Sequence, residues 1–417
     1  ILAQVGIEAP SSYLTLQATA MAIHIIRQIW KACLLLLLIK CHASVPPAIA
    51  ASSSCLGDDM SGVTSSPSHS LSLSHVSLLQ TRLIVKKVEA HGLLQHDAAV
   101  RRQLGNDLLR HPGVFDDAVA EYARHYHAQL SQSSMVFFLH VSKTAGTFLC
   151  GVGYESGCRE AGGGGPFANC HLRKDGYAWG KDGIEVVRHR PDTCAGLSKM
   201  YSADNVTLEG NENYLIQEGL CPEFWNVMIF RDPKSRLMSH LSMWQSDEFK
   251  DDAQYWSSPE NLTSAKQLFD NAPIISNNYF IRTLLGASVF TLPFGSITSA
   301  HLEEAKRVLE GFDVLLIVDE NNATLLETDV RATLGLEVSK NTSPGEVQKK
   351  GSPDSFIQSL RWTSTDWDLV DAANALDSEL WQHAKALHLL DQQVFRHPAF
   401  SQVSAAMPRA PCGYLSK

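Results

Sequence analysis

The sequence predicts an α/β fold in which a parallel sheet is flanked by helices. Two apolar runs of strand length, residues 135–141 and 225–230, each lead through a short polar turn into a helical pattern. A third run, residues 314–318, follows an amphipathic helix predicted over residues 302–312. Continuous apolar runs are typical of strands buried on both faces, and their alternation with helices is typical of a parallel sheet.

Length and charge limit the kind of protein this is. The chain has 417 residues, of which 44% are hydrophobic, so it can form one large domain plus an accessory segment. Its formal net charge of −9 argues against nucleic acid as a partner. An anionic ligand is still compatible with this charge if a local basic cluster holds it.

The first 50 residues resemble a targeting signal. Arg27 and Lys31 precede an apolar run at residues 32–39, and Ala48-Ile49-Ala50 forms a candidate cleavage site. The run is much shorter than the roughly 20 residues that span a bilayer. We therefore expect a cleaved signal peptide. An apolar segment extended back to residue 23 leaves a signal anchor, and hence a membrane anchor at the N-terminus, as the alternative.

Two other features predict entry into the secretory pathway. Six cysteines from Cys150 onward could pair as three disulfides in an oxidising compartment, although their spacing leaves the pairing open. No Cys-x-x-Cys pair occurs, so we expect no metal site. N-glycosylation sequons begin at Asn205, Asn261, Asn322 and Asn341.

Residues 51–132 predict a linker followed by a helical stem. Residues 51–75 are rich in Ser, Gly and Pro, which is typical of a flexible linker. Residues 76–129 have a helical apolar pattern that Pro112 and Gly113 interrupt. We expect this stem to pack on the main domain, residues 133–417, with a protein-binding surface as the alternative.

The main domain opens with a candidate anion site. The strand predicted at residues 135–141 is followed by Ser142, a lysine and four small residues, before a helix that we expect to begin near Phe148. A helix N-terminus has amide groups without internal partners and favours negative charge. A lysine and two threonine hydroxyls add further donors, so the ligand should carry phosphate. The loop residues are Lys143, Thr144, Ala145, Gly146 and Thr147.

This loop does not have the Walker A order. That motif places a glycine before the lysine, whereas here Gly146 follows Lys143.

A second strand-to-helix junction follows the run at residues 225–230. Arg231 comes directly after that strand, Pro233 opens the predicted helix and Ser239 lies further along it. An arginine can hold a phosphate through two charge-assisted hydrogen bonds, and a serine can add a hydroxyl donor.

The two junctions, in this order, resemble the phosphate-binding signatures of sulfotransferases that use 3′-phosphoadenosine 5′-phosphosulfate (PAPS). The sequence is most similar to the heparan sulfate 6-O-sulfotransferases and other Golgi carbohydrate sulfotransferases, with Ala145 where many members have glycine. The resemblance covers about residues 133–395 and includes Asn278 and Arg282, which should share one helix face. It implies the P-loop-like sulfotransferase fold and a Golgi-lumen enzyme.

The resemblance also implies roles for these residues. Lys143 would lie beside the bridging oxygen of PAPS, and residues 144–147 would cradle the 5′-phosphate. Arg231 and Ser239 would hold the 3′-phosphate. The acceptor would be a hydroxyl of a glycan or polysaccharide, with protein tyrosine as the alternative, and no metal ion is implied.

The resemblance implies an acidic general base. Glu209 follows a short strand predicted at residues 206–208 and occupies the place of a histidine in the 6-O-sulfotransferases, whereas other members use glutamate. Glu212, His189 and His171 are reserve candidates. His140, inside the first strand, is interpreted as a core histidine.

Two other classes of protein are compatible with parts of the pattern. A P-loop-like nucleotide kinase would explain Lys143, but the Walker order and matching acids are missing. A catalytically inert lumenal module would keep the binding motifs and lack a working base.

Overall fold

The computed structural model describes the chain from residue 98 onward, with gaps. The described ranges are 98–110, 115–162, 169–171, 176–180, 183–187, 191–244, 262–318, 323–339, 360–407 and 412–414. The predicted signal or anchor, the linker and the first part of the stem lie outside these ranges, as does His189. Within the described ranges no helix has the length and apolar character needed to cross a membrane.

A four-stranded parallel sheet is the centre of the fold, and it confirms the predicted α/β class. The strand order is β4-β1-β5-β6, and Leu208, Trp225 and Val136 pair across the first three strands. A separate antiparallel pair, β2 and β3, has no counterpart in the sequence predictions. The strands are β1 Val136–Leu139, β2 Gly176–Gly180, β3 Gly183–Val187, β4 Leu208–Asn211, β5 Trp225–Phe230 and β6 Val314–Ile317.

Helices cover both faces of the sheet, as predicted. They are α1 Ala98–Arg110, α2 Asp116–Gln132, α3 Gly146–Glu155, α4 Cys194–Ala203, α5 Pro233–Trp244, α6 Ala265–Asn271, α7 Tyr279–Leu284, α8 Ala287–Phe290, α9 Ser299–Leu309, α10 Ala323–Leu334, α11 Ser364–Ala373, α12 Ala375–Phe395 and α13 Pro398–Ala406.

Side chains of β1, β5 and β6 alternate between two hydrophobic cores. Phe137 and Phe230 belong to the core that includes residues of α4, α5, α7 and α9. Phe138 and Trp225 belong to the core that includes residues of α1, α2, α3 and α10. Because successive strand residues point to opposite faces and both faces are covered, the strands read as unbroken apolar runs.

The helices α1 and α2 are part of this second core. Tyr126 of α2 makes an edge-to-face contact with Trp225 of β5, with ring centroids 4.9 Å apart. Arg101 of α1 donates a hydrogen bond to the carbonyl of Phe312 and forms an ion pair with Asp391. Both helices are therefore anchored to the sheet and to α12 by buried contacts.

Three disulfides occur among the described residues, in agreement with the even cysteine count. Their pairing is Cys150–Cys170, Cys158–Cys412 and Cys194–Cys221. Only the tertiary structure selects these pairs, since the same six cysteines allow fifteen pairings.

One predicted strand is in the wrong place. The sequence predicts a strand at residues 206–208, whereas β4 begins at Leu208 and ends at Asn211. Glu209, Gly210 and Asn211 have low intrinsic strand preference, but each pairs with a residue of β1. Tertiary pairing thus overrides local propensity here.

Candidate functional site

The strand order places the candidate site between β1 and β5. The chain leaves β1 for β4 on one side of it and then returns to β5 on the other side. The connections at the carboxyl ends of β1 and β5 therefore diverge and leave a crevice between them. In open parallel sheets, ligands bind in the crevice at such a switch point.

The loop after β1 has an uncommon main-chain conformation. Lys143 and Ala145 have φ values of 71° and 66°, in the left-handed region that residues other than glycine rarely adopt. Such strain clusters at functional sites. Thr144 lies between these two residues, and turns in which left-handed residues alternate with other conformations form concave sites whose amide groups bind anions.

The N-terminus of α3 is open toward this loop. The residue before the helix, Ala145, provides no side-chain cap. The first amide groups of a helix have no intrahelical partners, so those of Gly146 and Thr147 are suited to an anion. In contrast, Asp232 caps α5, because its Oδ1 accepts a hydrogen bond from the amide of Ser235 at 2.8 Å.

Thr144 supports the loop from within. Its side chain is fully buried, and its hydroxyl donates to the carbonyl of Val141 at 2.7 Å. The hydroxyl proton of Thr144 is thus used inside the loop in this structure, and its predicted contact with a phosphate stays a prediction.

Gly146 has to be a glycine because of His140. A Cβ atom at position 146 would lie 1.8 Å from Nε2 of the His140 imidazole. His140 is buried beside Phe138, in agreement with its interpretation as a core histidine. Burial, with contributions from His171 and Lys143, lowers its pKa to about 3, so the ring is neutral.

Arg231 joins the two predicted binding motifs. It follows β5 directly, and its Nη1 donates a hydrogen bond to the carbonyl of Lys143 at 3.3 Å. Two basic residues from different strand ends thus converge on the crevice. Ser239 is half-buried on α5, the helix that Asp232 caps.

Arg236, which lies on α5 five residues after Arg231, was not among the predicted site residues. Its guanidinium is almost fully buried, donates to the carbonyl of Ile275 and lies 4.6 Å from the ring centroid of Tyr279. Burial, with a contribution from Arg231, lowers its pKa to about 10. Its place in the motif that begins at Arg231 is the sequence signal that could have identified Arg236 as a site residue.

The two acidic candidates for a base occupy different environments. Glu209 lies within β4 opposite Phe137, fully buried and before the end of the strand. Glu212 follows β4 at the carboxyl edge of the sheet and is half-buried. Because β4 ends three residues later than predicted, Glu209 lies inside the strand. Glu212 lies just beyond its carboxyl end.

Glu212 is surrounded by polar groups from the loop and from the segment that contains Cys170. Asn169 donates to its Oε2 at 3.1 Å, and the Ser142 hydroxyl donates to it as well. Burial raises the pKa of Glu212, whereas His171, Lys143 and these two hydrogen bonds lower it. Asn169 is a second site residue that sequence reasoning missed, because its segment is close to the loop only in three dimensions.

The motif that contains Asn278 and Arg282 has a structural role. Asn278 precedes α7 in a left-handed conformation and accepts from the amide of Asp377. Arg282 is fully buried, and it donates to carbonyl groups on both sides of it in sequence: Asn277, Val289, Phe290, Leu292 and Pro293. It therefore ties the segment after α8 to the start of α7.

The described residues include no cluster of three or more His, Cys, Asp or Glu side chains suited to a metal ion. Comparisons with protein-family models, curated proteins and solved structures found no match. The site combines a helix N-terminus without a side-chain cap, two basic residues from neighbouring strand ends, and an acid just beyond the carboxyl end of β4.

Proposed function

We propose that this protein is a PAPS-dependent sulfotransferase with the P-loop-like sulfotransferase fold, which transfers a sulfuryl group to a hydroxyl of a glycan or polysaccharide. The observation that supports this most is the convergence of Lys143 and Arg231 at the switch point of the sheet, where they are joined by a hydrogen bond. A ligand with two separate phosphate groups fits two anion-binding elements that come from different strand ends.

The residues present fit PAPS in their donor chemistry. Amide groups of residues 145–147 at the uncapped start of α3 suit the 5′-phosphate. Arg231 suits the 3′-phosphate through a two-point contact, with Ser239 as a hydroxyl donor. When bound, PAPS would supply the sulfuryl group and a bisphosphate leaving group.

Lys143 would offset the charge that develops on the leaving group. Sulfuryl transfer resembles phosphoryl transfer in that it needs in-line geometry and preorganised positive charge. A lysine in the loop and amide dipoles of a helix terminus provide that charge without a metal ion.

We favour Glu212 as the general base, with Glu209 as the alternative. A base must lie within hydrogen-bond reach of the acceptor hydroxyl. Glu212 is half-buried just beyond the carboxyl end of β4, whereas Glu209 is fully buried within that strand. The burial that raises the pKa of Glu212 also makes its carboxylate a better proton acceptor. His171 is half-buried near Glu212 and remains a reserve.

The disulfides support a lumenal location. Three disulfides among the described residues fit an oxidising compartment. We propose the Golgi lumen because the motifs at Lys143 and Arg231 resemble those of Golgi carbohydrate sulfotransferases, with the N-terminus as a cleaved signal or a membrane anchor.

Binding of adenosine 3′,5′-bisphosphate, measured by calorimetry on the folded protein, tests the cofactor. We expect wild type to bind and Arg231→Ala to lose about 2–5 kcal/mol of binding free energy. Lys143→Ala should also bind more weakly. The matched control is Lys234→Ala, which removes a lysine that pairs with Asp371 at the surface and should change binding by about 0.5 kcal/mol or less.

Failure of folded wild type to bind the bisphosphate would overturn the sulfotransferase proposal. Preference for ATP, which lacks the 3′-phosphate, would favour a nucleotide kinase instead.

Turnover separates an enzyme from an inert binding module. Sulfation should be measured on a panel of glycans, with a tyrosine peptide to detect a tyrosylprotein sulfotransferase. We expect Glu212→Gln to lower kcat by about 10²- to 10⁴-fold while bisphosphate binding is retained. If kcat falls in Glu209→Gln but not in Glu212→Gln, Glu209 is the base. Bisphosphate binding by wild type without any turnover would indicate the inert module.

A further inference from the structure

Cys170 fixes the segment at residues 169–171 beside β4, the outermost strand of the sheet. Cys170 forms a disulfide with Cys150 of α3, with Cα atoms 5.4 Å apart. Its carbonyl accepts a hydrogen bond at 2.9 Å from the amide of Gly210, in β4. Both cysteines are fully buried, so this short segment is fixed to α3 and to β4 at the same point.

Gly210 makes this contact close. A Cβ atom at this position would lie 3.0 Å from the sulfur of Cys170 and 3.2 Å from that of Cys150. The backbone of β4 therefore packs directly against the disulfide. The positions of the two residues beside Cys170, namely Asn169 and His171, depend on this packing.

The side chain of Asn169 bridges two parts of the site. Its Oδ1 accepts a hydrogen bond from the hydroxyl of Thr147 at 3.0 Å, and its Nδ2 donates to Glu212 at 3.1 Å. If the Asn169 amide were rotated by 180°, its oxygen would face the Glu212 carboxylate, and neither group would have a proton to donate. The chemistry of both partners thus selects the orientation shown by the structure.

We propose that Asn169 is a positioning residue that holds the carboxylate of Glu212 at a set place relative to the phosphate loop, and that the Cys150–Cys170 disulfide holds Asn169. The use of this link in sulfuryl transfer rests on the proposed function. The link itself rests on contacts between Thr147, Asn169 and Glu212. It connects the group that would receive the acceptor proton with the loop that would bind the donor nucleotide.

Other charged and titratable groups also face Glu212. Lys143 lies on the loop, His171 lies on the same segment as Asn169, and Tyr279 lies on α7. The hydroxyl of Ser142 is a second donor. A test of Asn169 therefore has to keep these groups unchanged and measure Glu212 directly.

The first test is titration of the Glu212 carboxyl by ¹³C NMR, with the signal assigned by its loss in Glu212→Gln. Asn169 donates to the charged carboxylate, so Asn169→Ala should raise the pKa of Glu212 by about 1 pH unit. An unchanged titration would overturn the proposal. Asn169→Asp should raise the pKa as well, since a second carboxylate disfavours ionisation of the first.

The second test concerns the disulfide. We expect the double variant Cys150→Ala/Cys170→Ala to shift the Glu212 titration in the same direction as Asn169→Ala. The matched control Cys194→Ala/Cys221→Ala, which removes another disulfide, should leave it unchanged. Equal titrations in wild type and both double variants would show that Cys170 does not hold Asn169. If the first double variant fails to fold, Asn169→Ala alone still decides the role of Asn169.

Kinetics then connect the link to the reaction. Asn169→Ala should lower kcat about tenfold or more and leave bisphosphate affinity within about threefold of wild type, because a displaced base affects the transition state rather than nucleotide binding. An equal loss of kcat and of bisphosphate affinity would indicate that Asn169 has only a structural role. If wild type binds no bisphosphate, the proposed function fails, whereas the NMR titration still decides whether Asn169 holds Glu212.

Discussion

Arg231 donates a hydrogen bond from its Nη1 to the carbonyl of Lys143 at 3.3 Å. The two residues come from the ends of β5 and β1, which are neighbours in the sheet although β4 separates them along the chain. The contact brings a guanidinium against the loop that opens α3. It is the point at which two separate sequence motifs become one site.

Gly146 and His140 should behave as a size-matched pair. Gly146→Ala should destabilise the protein by about 1–3 kcal/mol, because the added methyl group would overlap the imidazole of His140. Urea unfolding measures this change. The double variant Gly146→Ala/His140→Ala removes the overlap and should recover part of the loss. Additive effects of the two substitutions would contradict the contact.

Arg282 should be a structural residue. Arg282→Ala should cost about 3–5 kcal/mol of stability, because several buried carbonyl groups lose a charged donor. Thermal and urea unfolding measure the loss, and Arg307→Ala, at a largely exposed arginine, is the control with about 0.5 kcal/mol or less. A stable Arg282→Ala protein that no longer binds bisphosphate would instead place Arg282 in the site.

His140 should make stability depend on pH. Its pKa is lowered from the ordinary 6.5 to about 3 in the folded protein, so the unfolded chain binds more protons between these values. The neutral ring thus contributes stability above pH 6.5 that is lost as the pH falls toward 3. Relative to wild type, His140→Leu should gain about 2 kcal/mol between pH 7.5 and pH 5. Urea unfolding at both pH values measures this gain, and a difference independent of pH would refute the assignment.

The disulfides should differ in their effect on stability. Cys158–Cys412 spans 254 positions and Cys194–Cys221 spans 27. By chain entropy, a longer closed loop restrains the unfolded chain more, so Cys158→Ala/Cys412→Ala should cost about 2 kcal/mol more than Cys194→Ala/Cys221→Ala. Denaturant unfolding of both oxidised variants gives the comparison. The reverse order would show that native-state packing, not loop length, dominates.

Strands that are buried on both faces could be predicted from the sequence. The run at residues 225–230 matches β5, and the run at residues 314–318 extends one residue beyond β6. The helix after the loop at residues 142–145 also begins close to its predicted start, at Gly146 rather than near Phe148. These elements are local, because apolar periodicity and small turn residues lie within one short window of sequence.

The position of Glu209 could not be predicted in the same way. A glutamate followed by glycine and asparagine indicates the end of a strand, yet these residues pair with Phe137, Phe138 and Leu139 of β1. Pairing with a distant strand supplies what local preference lacks.

Asn169 is the other residue that local reasoning missed. It lies beside a cysteine in a segment with no regular secondary structure, far in sequence from Glu212. The Cys150–Cys170 disulfide and the contact with Gly210 bring it to the loop.

The α/β class, the strand-to-helix junctions at Lys143 and Arg231, and the three disulfides among the described residues could all be predicted from the sequence, because each depends on the order of residues along a short stretch or on a simple count. The strand order, the cysteine pairing, and the choice of which acid lies just beyond the carboxyl end of β4 emerge only when the chain folds. Those features depend on contacts between segments distant in the chain, and it is burial of both faces of one sheet that selects those contacts.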